Sequence, residues 1–123
     1  MQATTETRKT ETTGAKAPPI LDKRVSVYVP TVQSSGEPLP EDQARKLVEV
    51  TARTLADLFG GSTAVNGTGY YENQREDVTL VFANTKEVNE DQFAGVIGLG
   101  LALKVIANQE SVAVEFGNTI ILL

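Results

Sequence analysis

From Phe93 to Leu103 the chain reads FAGVIGLGLAL, a run with no polar side chain. It is too short to cross a bilayer, and Lys104 follows it directly. Its start carries a strong helix signal. Asn89 suits the N-cap, Gln92 stands at N3, Val88 and Phe93 can staple, and Glu90 and Asp91 meet the positive end of the helix dipole. A helix this apolar around its circumference must be covered on more than one side. The chain is therefore expected to fold as a layered domain in which this helix lies on a sheet and still offers a face to something else. Ala94, Gly98 and Ala102 fall four apart along it, a stripe of small residues that lets another backbone approach closely.

The rest of the chain supplies the sheet. Lys23–Pro30 (KRVSVYVP) alternates, with Val25, Val27 and Val29 on one face and Arg24, Ser26 and Tyr28 on the other. Serine, glycine and proline mark 31–40 as a loop. Glu41–Phe59 shows a helical stripe of Ala44, Leu47, Val48, Thr51, Leu55, Leu58 and Phe59, stopped by Gly60-Gly61. Ser62–Tyr71 reads either as one bulged strand or as a strand ending in a tight turn at Asn66-Gly67, with 72–76 as the connection. Asp77–Ala83 has apolar residues on both faces, as a central strand does. Ser111–Phe116 and Thr119–Leu123 flank Gly117-Asn118, a hairpin signal. The order predicts an α+β fold, a ferredoxin-like βαββαβ sandwich with an added C-terminal hairpin strand over residues 23–123.

Residues 1–22 are threonine-rich and predict an extended or disordered arm. They lack the apolar run of a signal peptide. Residues 1–24 hold five bases and three acids, net +2, and the other six bases and thirteen acids give the body −7. The arm's sign suits contact with a neighbour's acidic body. That acidity argues against nucleic acid as a partner. The absence of any apolar span argues against a membrane, and a cytoplasmic or virion-associated location is expected.

The chain has no cysteine and no histidine. Thiolate chemistry, Ser-His-Asp catalysis and most transition-metal sites are excluded at once. An enzyme would have to use tyrosine, lysine or carboxylates. Glu72, Glu76, Asp77, Glu110 and Glu115 lack the spacing of a calcium loop, and the glycines at 60–69 match no phosphate-binding motif. Lys104 more often snorkels than attacks. The expectation is a non-enzymatic, self-associating assembly module without a cofactor, a homo-oligomer joined through Ala94, Gly98, Ala102, Ile120 and Leu122. The alternative is a protein that binds or sequesters a nucleotide-like small ligand with Arg24, Tyr28, Gly67, Gly69 and Tyr70.

The segments VSVYVP, TLADLFGGSTAVNGTGYY, DVTLVFA and NQESVAVEFGNTIIL resemble those of small uncharacterised proteins of bacteria and of mobile elements such as plasmids and phages. The chain is also distantly similar to the DUF3574 domain. Two steps carry that likeness: Phe59-Gly60-Gly61-Ser62-Thr63 and Gln109-Glu110-Ser111-Val112. The resemblance implies a fold and a phage or mobile-element accessory role. It implies no catalytic residue.

Overall fold

The computed structural model describes residues 17–123. Of the arm expected over 1–22, residues 17–22 are irregular and exposed, and the remainder lies outside the described residues. The element order is β1 (Lys23–Pro30), α1 (Glu41–Phe59), β2 (Thr63–Tyr71), β3 (Gln74–Thr85), α2 (Glu90–Ile106), β4 (Ala113–Phe116) and β5 (Thr119–Leu122). The protein is α+β: five strands in the order β2-β3-β1-β4-β5, every neighbouring pair antiparallel.

Both helices cover one face of this sheet. Val25, Val27 and Val29 of β1 stand opposite Ala83, Val81 and Thr79 of β3, and Val114 of β4 stands opposite Val27. These side chains are buried with Leu47 and Leu55 of α1 and Val96 and Leu103 of α2, which makes one contiguous core. The α1 stripe is inward as its period requires, and buried Thr51 donates its hydroxyl to the Leu47 carbonyl at 2.7 Å. Gly60 ends α1 at φ 94°, a left-handed conformation that glycine adopts without strain, and its N–H donates to the Ala56 carbonyl. Asn89 and Gln92 form the full reciprocal capping box at the start of α2. The Gln92 side chain also donates to the Leu58 carbonyl at 2.8 Å, which ties the start of α2 to the end of α1.

The β2–β3 hairpin resolves the open alternative at 62–71. Asn66 and Gly67 lie inside β2, paired with Thr79 and Val78, and the strand runs on to Tyr71 without a break. The expected connection at 72–76 shrinks to a two-residue turn, and β3 starts at Gln74 rather than Asp77. The turn residues Glu72 and Asn73 take φ of 50° and 66°. Positive φ at both central positions is the type I′ geometry whose twist matches the flanking strands. Asparagine tolerates it, and the β-favouring tyrosines before it carry the strand past Asn66-Gly67.

A single chain covers α2 on one side only. Val96, Gly100 and Leu103 are buried, while Leu101, Val105 and Ile106 stay exposed. The close backbone approaches of α2 fall at Gly95 and Gly100 rather than along the small-residue stripe. A Cβ at Gly95 would sit 3.1 Å from Leu58 Cδ1, and one at Gly100 would overlap the Leu123 side chain. Ala94, Gly98 and Ala102 face outward, and a Cβ at Gly98 would meet nothing within 4 Å. Among the described residues no helix is long and apolar enough to cross a membrane.

Candidate functional site on the open sheet face

Among the described residues, the face of the sheet away from the helices has no second layer. The pairing registers place on it Thr63, Val65 and Gly67 of β2, and Val78, Leu80, Phe82 and Asn84 of β3. Arg24, Ser26 and Tyr28 of β1, Ala113 and Glu115 of β4, and Ile120 and Leu122 of β5 complete it. Val65, Val78, Leu80, Phe82, Ala113, Ile120 and Leu122 are apolar, and every polar side chain but Thr63 sits on β1 or its two neighbours.

At the centre, Tyr28 Oη donates to Glu115 Oε1 at 2.8 Å. Burial, then the hydrogen bond to Glu115 and its charge, push the Tyr28 phenol above its usual range. Tyr28 therefore stays protonated at neutral pH and holds the carboxylate in one orientation. Ser26 stands directly opposite both Phe82 and Glu115 and is only 2% exposed. Among the described residues no side-chain hydrogen bond involves its hydroxyl, so a buried polar group floors the centre of the face. Beside it, the Arg24 guanidinium lies 4.0 Å from the centroid of the Phe82 ring, and Arg24 Nε donates to Asn84 Oδ1 at 3.1 Å. The stacking and the hydrogen bond fix the plane of the guanidinium.

The ligand-binding residues expected from the sequence fall at two places. Arg24 and Tyr28 share the central face. Gly67, Gly69 and Tyr70 stand opposite Val78, Glu76 and Arg75, toward the hairpin turn. The Arg24 partner Asn84 and the Gly67 partner Val78 are six positions apart on β3, about 20 Å at strand rise. Within one chain Arg24 is far from the hairpin residues, while Tyr28, opposite Leu80, lies only two positions along β3 from the Gly67 partner. Gly67 lines a shallow cavity of about 340 Å³ with Thr31, Asn66, Asp77 and Thr79. Tyr70 is 75% exposed near the hairpin tip. Of the expected self-association residues, Ile120 and Leu122 lie exposed at the β5 edge of the open face, and Ala94, Gly98 and Ala102 lie on the outer side of α2. Among the described residues no three metal-ligating side chains converge, so the carboxylates at 72–77, 110 and 115 form no common cluster.

Sequence reading missed Glu115 as the partner of Tyr28. The alternation of SVAVEF already set Glu115 on the face opposite Val112 and Val114. What it lacked was the knowledge that β4 lies next to β1.

No known protein-family description matches the chain, and no curated protein does. Solved structures do. A phage SAM lyase in its apo state is 18% identical, with a TM-score of 0.58 over 82% of this chain and 87% of that chain. A phage SAM lyase in complex with S-methyl-5′-thioadenosine is 17% identical, with a TM-score of 0.57 over 82% of this chain and 88% of that one. The chain shares the fold of these proteins. The likeness overturns the expectation of a non-enzymatic assembly module, because the solved chains of this fold are an enzyme, in one structure apo and in the other with S-methyl-5′-thioadenosine.

Proposed function

We propose that this protein binds S-adenosylmethionine, or a sulfonium nucleoside like it, on the open sheet face and cleaves it as a lyase. The observation that carries the reading is the Tyr28–Glu115 hydrogen bond at the centre of the uncovered face of a fold shared with a SAM lyase. The substrate is cationic at its sulfur and at its ammonium group. A carboxylate held at fixed geometry attracts it more strongly than a mobile one, because the ordering cost is already met. The substrate's own carboxylate attacks the carbon that bears sulfur: the new C–O bond closes a lactone as the C–S bond breaks, and the electron pair goes to sulfur, which leaves as a neutral thioether. Glu115 binds the cationic part of the substrate, and Tyr28 orients Glu115 by donating to it.

A flat sheet face does not enclose a nucleoside, whose sites usually bury most of the ligand surface. We therefore place a second copy of the chain over the face, against Val65, Ile120 and Leu122. Their exposures of 44%, 56% and 70% mark an apolar surface that the other described residues leave uncovered. In such an assembly the hairpin bearing Gly67, Gly69 and Tyr70 reaches a neighbour's Arg24, from which one chain keeps it apart. The strand order, with the two βα units interleaved, supports the ferredoxin-like reading of the fold.

The test is product formation. Incubated with S-adenosylmethionine, the wild-type protein is expected to release S-methyl-5′-thioadenosine, detected by chromatography and mass. Glu115→Gln is expected to lower the rate at least tenfold while remaining folded. No product, with no shift in melting temperature from substrate or product, would sink the proposal.

A further inference from the structure

Building on the proposed nucleoside site, we infer that Arg24 and Glu115 together read the zwitterionic head of an α-amino acid, with Arg24 taking the carboxylate and Glu115 the ammonium. Phe82, Ser26 and Glu115 stand in one row across three adjacent strands. Adjacent strands lie about 4.8 Å apart, so the outer members of the row are about 10 Å apart. The Arg24 guanidinium is stacked on Phe82 at one end of that row, and Glu115 stands at the other with its carboxylate bonded to Tyr28. The guanidinium thus lies over β3 and Glu115 rises from β4, the strands on either side of β1. The carboxylate and ammonium of an α-amino acid are two to three bonds apart, so a head lying across Ser26 can turn one toward each side chain.

The directions of the hydrogen bonds agree. Arg24 commits Nε to Asn84, and the bond orients the plane without using its terminal amino groups. Those groups form the fork that matches a carboxylate in bidentate fashion. Among the described residues no carboxylate lies within 4 Å of the Arg24 guanidinium. At the other end, Tyr28 donates to one Glu115 oxygen, and the second can accept from an ammonium. Between the two charges, buried Ser26 supplies a polar floor. A ligand lacking the amino-acid head would gain nothing from Arg24. The site should therefore hold the intact nucleoside more tightly than the thioether left after the head departs.

The experiment compares two neutral thioether nucleosides by calorimetry on the full chain. S-adenosylhomocysteine carries the head, and S-methyl-5′-thioadenosine does not. The wild type is expected to bind the first more tightly. Arg24→Ala should weaken it on the order of tenfold or more, since a hydrogen-bonded charge is lost, and leave S-methyl-5′-thioadenosine within about twofold. Arg24→Lys, which keeps the charge but not the fork, should fall between. Equal loss for both nucleosides, or no loss for either, overturns the assignment while leaving the nucleoside site standing. Failure of the wild type to bind either one overturns the site and the assignment together.

Discussion

Gly98 and Gly100 stand two residues apart on α2 and face opposite surroundings. Changing each to alanine isolates what packing demands of this helix. Both substitutions gain the same helix-propensity term, about 0.8–1 kcal/mol. At Gly98 the new methyl meets nothing within 4 Å, so the gain should appear nearly whole. At Gly100 the methyl overlaps the Leu123 side chain and lies 3.2 Å from Val114 Cγ1. The clashing Leu123 atom is the tip of a half-buried side chain that can rotate, but Val114 is fully buried, β-branched and held in the ladder between β1 and β5. Overpacking of this kind costs about 1–3 kcal/mol. Gly100→Ala should therefore be less stable than Gly98→Ala by about 1–3 kcal/mol, or roughly 3–15 °C in Tm for a chain of this length. Urea unfolding at low protein concentration measures it. The Gly100→Ala, Leu123→Ala double variant should recover part of the difference. If Gly100→Ala proves as stable as Gly98→Ala, α2 does not approach the sheet and the C-terminal strand as described.

Three other outcomes follow from single features of the fold. Asn89→Ala should cost about 1 kcal/mol in urea unfolding, because it opens the capping box, while Asn89→Asp should stay within a few tenths. Asn73→Gly should stabilise the hairpin by up to about 1 kcal/mol, since glycine adopts the positive φ of that turn position freely, and amide exchange across β2–β3 should slow. Tyr28 has a raised folded pKa, so its contribution to stability is fully present below the unfolded value of about 10 and is lost as pH rises through the folded one. Unfolding measured from pH 8 to 11 should show that alkaline loss in the wild type and a smaller one in Tyr28→Phe.

The strands and helices could be read from periodicity because each has one buried face. Val25, Val27 and Val29 announced β1, and the stripe from Ala44 to Phe59 announced α1. The hairpin at Glu72-Asn73 was hidden because Asn66-Gly67 carries the stronger turn signal, and only pairing along the whole of β3 outweighs it. The candidate site was half legible. Alternation put Arg24 and Tyr28 on one face, but their partners Phe82, Asn84 and Glu115 come from strands 58 to 87 residues away. Sequence distance does not encode which strands become neighbours. The enzymatic reading was hidden for a chemical reason. Without histidine or cysteine, a site built from a tyrosine, an arginine and a carboxylate looks in sequence like any polar strand face.

The claim that the open sheet face is the nucleoside site is tested most directly by mapping where S-methyl-5′-thioadenosine binds, through amide chemical-shift changes on titration. The expected shifts centre on Arg24, Ser26, Tyr28 and Glu115, with Phe82 and Ile120 around them. Shifts confined to the helices, or to the cavity beside Thr31 and Asp77, would contradict it.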